Sequence, residues 1–278
     1  ATWAQTEFKI GLVLFLILVG TAIVYPLFSS VDPTQLAPRD RFLPPVFLEG
    51  GSWAHPLGTD QLGRDLFVRS LVGLQNALMI SLAVVLLMFA FGATVGLYAG
   101  YRGGWVDTIL MRLTDAQLSI PLIILAIIIL TVSRPTPFSV ILVLALAGWP
   151  VYARVTRSVM LAERRREYVR GAKILGASDR RIMWLMIAPN ILPPSAFEAV
   201  LDIARMMIFE SILGFIGIGI QPPTPTFGTI IADGRKYLIN AWWIATMPGA
   251  FLFFTLLGFN LMGATLERAR NRLLRGTI

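Results

Sequence analysis

Long apolar runs, more than any catalytic motif, limit what this chain can fold into. Residues 9–28 read KIGLVLFLILVGTAIVYPLF, without a charge after Lys9. About twenty such residues in a helix rising roughly 1.5 Å each cover a hydrocarbon core of about 30 Å. Comparable runs recur at 77–100, 109–132, 138–160, 190–220 and 242–265. Backbone groups in lipid must be satisfied within their own segment, so each run is predicted to be helical. The expectation is an all-α, polytopic membrane protein with six transmembrane helices. The first run exceeds a signal-peptide core of about 7–15 residues and no A-x-A site follows, so it is expected to persist as a span.

Composition agrees, with 56% apolar and only 14% charged residues, against about 25% charged in soluble domains. The net charge of +8 does not point to nucleic acid, because the arginines cluster beside apolar runs. There are no cysteines and a single histidine, His55, which excludes disulfides, cysteine metal sites and a histidine metal cluster. With both termini inside, sixteen Lys and Arg flank the spans on the inner side and seven on the outer, while Arg205 falls within a span. That bias places the insert at 161–189 and the basic tail at 266–278 in the cytoplasm, and the loop at 29–73 outside.

The insert, LAERRREYVRGAKILGASDRRIMWLMIAPN, has helical periodicity. Tyr168, Ala172 and Leu175 fall on one face, and Arg166, Arg170 and Lys173 on another. Gly176 interrupts the pattern. Ser178 is a candidate cap for a second helix, with Asp179 in its first turn and Ile182, Leu185 and Met186 as its apolar stripe. Helices are predicted over 164–175 and 178–188, the second ended by Pro189. The shape suits docking into another protein, and the alternative is an interfacial helix pair attracted to anionic lipid by its arginines.

This insert resembles the cytoplasmic coupling loop of importer-type ABC permeases, whose pattern is E-A-A, three residues, Gly, then Ile and Pro. Ala172, Gly176, Ile182 and Pro189-Asn190 match. Arg170 stands where the pattern has glutamate, Gly171 where it has its first alanine, and Met186 where it often has histidine; Glu167 is the nearest substitute carboxylate. HPLGTDQLGRDLFVRSLVG at 55–73, GGWVDTILMRLTDAQLSIP at 103–121 and QPPTPTFG at 221–228 are similar to permeases of the dipeptide, oligopeptide and nickel family, most closely the C-type subunit. The tail departs from that family, with Arg268, Arg270, Arg272 and Arg275 spaced as a basic helix where an aspartate-proline ending is frequent.

The resemblance implies a type I ABC importer permease fold in the bacterial cytoplasmic membrane, with both termini cytoplasmic. It implies half of a pore for di- or oligopeptides, a homologous permease as the other half, two ABC ATPase subunits carrying ATP and Mg, and an extracytoplasmic solute-binding protein. Nickel, oligosaccharide or another solute is the alternative cargo, and an ion-coupled secondary transporter the alternative class. The coupling residues it implies are Glu167, Arg170, Gly171, Ala172, Leu175, Gly176, Ala177 and Ile182. The chain has no G-x-x-x-x-G-K-[ST] loop and no Ser-His-Asp arrangement, so ATP hydrolysis is expected on partner subunits and no cofactor, metal or nucleic acid on this chain.

Other features concern the spans and the first loop. In the fifth span Glu198, Asp202 and Arg205 share one helix face at i, i+4 and i+7, away from lipid. Asp202 and Arg205 are close enough to pair, either locking the span to a neighbour or lining a path for a zwitterionic peptide; Glu210 lies on another face. The loop is expected to end in a short amphipathic helix at 62–70, and its residues 31–55 to contact the binding protein or cap the pore entrance. Its residues 55–63 are expected to form a capped turn, with Asp60 and Asp65 in surface ion pairs with Arg64 and Arg69. Pro121, Pro150 and Pro248 are candidate kinks or packing features, and Gly96, Gly100 and the glycines at 214–219 candidate close-packing positions.

Overall fold

The computed structural model describes residues 6–28 and 31–275, apart from the side chains of 26–27, 193–197, 266–267 and 269–275. Residues 29–30 of the predicted external loop and 276–278 of the predicted tail lie outside the described residues. In chain order the helices are α1 (Thr6–Phe28), α2 (Leu66–Arg102), α3 (Gly104–Leu118), α4 (Leu122–Val132), α5 (Pro137–Glu163), α6 (Glu167–Ile174), α7 (Asp179–Arg181), a π turn (Ile182–Ile187), α8 (Ala188–Ile216), α9 (Phe227–Gly234) and α10 (Trp243–Arg275). Among the described residues the only β feature is an isolated bridge between Thr59 and Asp65.

Helices α1, α2, α5 and α10 are each long and apolar enough to cross a membrane. The third run, expected to be continuous, is two helices bent by 82°. Pro121 sits at that break; it has no N–H to continue the ladder and pushes the preceding residue out of helical geometry. Counted as one broken span, α3 and α4 make a fifth. At 29 residues α8 is also long enough, but it carries Glu198, Asp202, Arg205 and Glu210. The helix expected at 62–70 is not separate: α2 starts at Leu66 and runs unbroken to Arg102. Asp65 caps it, its Oδ1 accepting from the Val68 N–H at 2.9 Å.

The chain divides into two compact units. The first comprises residues 1–81, 133–140 and 203–278. Here α1 and α10 meet backbone to backbone, since a Cβ on Gly11 would lie 2.9 Å from the Gly258 carbonyl oxygen. Phe15 packs edge-on against Phe259, and Val19, Ala22, Leu71, Leu74, Met207 and Phe227 continue the core. A smaller cluster of Leu66, Ile230, Trp243 and Ile244 collects Phe42, Leu48 and Leu57 from the first loop. Trp243 Nε1 donates to the Thr59 carbonyl at 3.3 Å, and the Leu43 N–H to Thr59 Oγ1 at 2.9 Å, so the loop is tied to the helical body.

That attachment changes the nature of the loop's charges. They are not surface pairs: Asp60 is 1% exposed, Arg69 2% and Arg64 8%. Asp60 Oδ1 accepts from the N–H groups of Leu62 at 2.8 Å and Arg64 at 3.0 Å, forming the capped turn expected at 55–63. Its Oδ2 accepts from Arg64 Nε at 2.6 Å and faces Arg69 Nε at 3.6 Å, a charge contact without a hydrogen bond. Asp65 pairs with His55 at 2.7 Å, and Arg64 reaches Asp233 at 3.4 Å.

The second unit comprises residues 82–132 and 141–202. Gly92, Gly96 and Gly100 form a stripe on α2 against α5; a Cβ there would lie 2.4 Å from the Trp149 oxygen, 2.4 Å from the Ala153 oxygen and 2.8 Å from Met160 Cγ. Only glycine permits that approach, as the sequence reading of Gly96 and Gly100 anticipates. Arg157 pairs with Asp107 at 2.6 Å and Arg154 with Asp115 at 2.5 Å, holding α3 to α5.

Candidate functional site

The basic insert folds in the second unit as a corner. Arg166, in extended backbone, precedes α6, which carries Glu167 in its first turn and Lys173 in its last, complementing the helix dipole at both ends. Gly176 adopts φ +80°, a left-handed conformation costly for L-residues with a Cβ. Around it the Ala177 N–H bonds the Ala172 carbonyl at 3.0 Å and the Gly176 N–H the Lys173 carbonyl at 3.0 Å, a Schellman closure. The chain then re-enters helix at Ser178, whose Oγ accepts from the Arg181 N–H at 3.4 Å.

The second segment departs from expectation. Pro189 does not end a helix; the chain passes through a π turn directly into α8. The wider turn gives the carbonyls before Pro189 another register, with the Ala188 N–H bonded to Met183 five residues back. It also rotates the apolar stripe: Ile182, Met183 and Ile187 are buried, while Leu185 is 71% exposed. On α6 the inward residues are Val169 and Ala172, with Tyr168 partly covered, and Leu175 points outward.

The corner therefore has two faces. Ala172 and Ile182 join Leu97, Met160, Val169, Ile187 and Ile191 in the core, with Ala177 packed against them. Glu167, Arg170, Leu175 and Gly176 lie on the open face, and a Cβ on Gly171 would meet nothing within 4 Å. Beside Leu175, at 88% exposure, stands Ile174 at 86%, a residue the periodicity did not single out. Its signal was its place next to the helix-ending glycine, where the pattern that buries a residue stops. Arg165, Arg166, Arg170, Lys173, Arg180 and Arg181 are all exposed, so the apolar pair belongs to a cationic surface.

Side chains outside the motif fix the corner. Arg164 Nη1 donates to the Gly100 and Tyr101 carbonyls at 2.7 and 3.2 Å, capping the end of α2. Tyr101 donates to Asp179 Oδ1 at 2.6 Å and lies under Lys173 Nζ, 5.4 Å from the ring centroid. Tyr168 donates to Glu163 Oε2 at 2.9 Å and accepts from Asn190 Nδ2 at 3.4 Å. Burial pushes the Tyr168 phenol up, opposed by the Asn190 hydrogen bond and reinforced by Glu163.

The second set of candidates, on α8, is spread across environments. Asp202 is 1% exposed and accepts from the Tyr152 hydroxyl at 2.7 Å; Tyr152 itself was not anticipated. Glu198 is half-buried and Arg205 exposed. Glu210, on another face, is buried with Ser211 Oγ at 3.5 Å.

Residues 92–272 match the family model described as binding-protein-dependent transport system inner membrane component. Similar curated proteins include the dipeptide transport system permease protein DppC of Haemophilus influenzae, 38% identical over 94% of this chain and 88% of that protein. The di/tripeptide transport system permease protein DppC of Pseudomonas aeruginosa is 35% identical over 93% of this chain and 86% of that protein. The probable D,D-dipeptide transport system permease protein DdpC of Escherichia coli is 37% identical over 90% and 82%. Among solved structures, a chain of the MetNI methionine ABC transporter in an inward-facing conformation superposes with a TM-score of 0.57 at 18% identity, over 73% of this chain and 95% of that one. The all-helical fold is thus shared with an ABC transporter chain, and by sequence this chain belongs to the family of binding-protein-dependent transport system inner membrane components.

Proposed function

We propose that the chain is the permease subunit of an ATP-driven ABC importer for di- or oligopeptides, lining half of the translocation path beside a homologous permease. Peptide cargo is supported by the names of relatives aligned over nearly the whole chain. In this reading α8 is the sixth span, both termini are cytoplasmic, and an extracytoplasmic solute-binding protein delivers cargo at the first loop. Two partner ATPase subunits bind ATP and Mg, and this chain converts their movement into a change in the path.

The observation that carries the proposal is the corner between α6 and α7. Two exposed apolar residues, Ile174 and Leu175, stand on a rigid Schellman turn amid six exposed cations, while the opposite face is packed into the core. Such a surface fits an apolar groove with an acidic rim on the ATPase, and a push on the turn passes through Val169, Ala172 and Ile182 into α2, α5 and α8 within the unit.

The chain has no cysteine of its own, so a single introduced thiol reports one position. In the assembled transporter Leu175→Cys is expected to cross-link to an ATPase subunit through a short bifunctional reagent, and Ser52→Cys in the first loop is not. Cross-linking of the ATPase from Ser52→Cys, or none from Leu175→Cys, would contradict both the docking role and the orientation.

A further inference from the structure

Beside the corner, and within the second unit, lies a cleft of about 280 Å³ lined by Tyr98, Tyr101, Arg102, Arg180, Met183 and Trp184, with Thr94 and Asp179 completing the wall. Two arginines face one carboxylate there, and Asp179 already accepts the Tyr101 hydroxyl at 2.6 Å. Neither guanidinium has a carboxylate within 4 Å among the described residues, and Arg102 instead lies 5.8 Å from the Tyr98 ring centroid.

Thr94 and Tyr98 also line a second groove, of about 360 Å³, whose other walls are Val95, Trp105, Val106, Ile109 and Leu110. This groove is lined almost wholly by apolar side chains; Trp105 is 73% and Ile109 57% exposed. The two cavities thus share a wall. The cleft, where the end of α2 meets α7 and the π turn, offers guanidinium and phenol groups; the groove, where α2 ends and α3 begins, offers hydrocarbon and indole. Aromatic residues with an apolar body and a polar tip belong at the membrane–water boundary, and Tyr98, Trp105 and Trp184 ring the junction.

We propose that this paired cavity is a site for one anionic phospholipid, its phosphate between Arg102 and Arg180 and an acyl chain along Val95, Val106 and Ile109. Charge complementarity selects the head, because the two guanidiniums outnumber the one carboxylate that lines the cleft. The apolar groove that adjoins the polar cleft across Thr94 and Tyr98 selects a lipid over a free anion. Because Asp179, Arg180, Met183 and Trp184 belong to α7 and the π turn, the bound head ties the corner to the end of α2. The inference requires only that α2 and α3 meet a membrane and does not depend on the coupling role.

The test is native mass spectrometry of the intact transporter complex, released from detergent after equilibration with phosphatidylglycerol or with phosphatidylcholine. One phosphatidylglycerol per copy of this chain is expected to be retained in preference to phosphatidylcholine. Arg102→Gln/Arg180→Gln should lose that retention by roughly tenfold or more, since each basic group contributes appreciably to binding an anionic lipid. Arg102→Lys/Arg180→Lys should restore most of it, which separates charge from misfolding. Arg112→Gln/Arg134→Gln, which removes two exposed cations outside the cleft, should leave it unchanged. Equal retention by the Gln variant, equal retention of the two lipids, or displacement of the lipid by glycerol phosphate at similar concentration would overturn the proposal, the last by indicating a site for a soluble phosphate. A partner subunit's side chain filling the cavity in the assembled complex would overturn it as well.

Discussion

Asp60→Ala is expected to destabilise the first unit by about 3–5 kcal/mol, the cost of leaving buried charge unpaired. The carboxylate satisfies two backbone N–H groups and Arg64 Nε, and its charge stands 3.6 Å from Arg69 Nε. All three residues are at most 8% exposed. Removing the anion leaves two guanidiniums in a site built for a carboxylate. Asn at position 60 keeps an acceptor for the turn and loses the charge, so its loss should be intermediate. Asp233→Asn breaks a longer contact whose carboxylate is 39% exposed, and its effect should stay within about 1 kcal/mol. Thermal unfolding of the purified protein in detergent checks the order, Asp60→Ala lowest, then Asp60→Asn, then Asp233→Asn near the unsubstituted chain. An Asp60→Ala protein as stable as the parent would mean that the cluster contributes nothing to the loop's attachment.

The second large effect is expected at the corner. Ile174 and Leu175 contribute little to the chain's own fold, at 86% and 88% exposure, so Ile174→Asp/Leu175→Asp should leave folding and membrane insertion unchanged. Docking is another matter. Burying a large apolar side chain is worth about 1.5–3 kcal/mol, and the substitution also places two carboxylates against a groove argued to be acid-rimmed. ATP-driven uptake should fall on the order of a hundredfold or more, with basal hydrolysis by the ATPase subunits retained. The Ile174→Ala/Leu175→Ala protein should lie between. Unimpaired coupled uptake by the Asp pair would remove these residues from the coupling surface.

How much of this was legible in the sequence depends on the kind of interaction involved. The apolar runs declare the long helices, because lipid leaves the backbone one alternative to a closed barrel. Gly176 and Ser178 were legible for a local reason: a left-handed residue and a helix cap are solved within a few residues, and Gly and Ser solve them. The glycine stripe Gly96–Gly100 was readable as close packing for the same reason.

What depended on geometry was not legible. A proline at position 121 announces a break, but no composition gives its 82° bend. The π turn before Pro189 shifts the helical register, so Leu185, placed inward by a 3.6-residue period, faces out and Met183 faces in. Asp60, Arg64 and Arg69 looked like surface charges because their burial comes from distant partners, among them Trp243 and Asp233, which sequence proximity cannot supply. The same holds for Tyr152, fifty positions from the carboxylate to which it donates. Glu198, Asp202 and Arg205 share a helical face on paper, yet one is half-buried, one buried and one exposed, since neighbours as well as periodicity decide what a face meets.

Uptake in proteoliposomes tests the central claim most directly. Vesicles holding this chain, its homologous permease and the two ATPase subunits, supplied with the solute-binding protein and labelled dipeptide, are expected to accumulate peptide only when ATP is present on the ATPase side. Omitting the ATPase subunits should abolish accumulation, and an imposed proton or sodium gradient should not restore it. Gradient-driven peptide uptake by vesicles holding this chain alone would contradict the account and place the energy source within the chain.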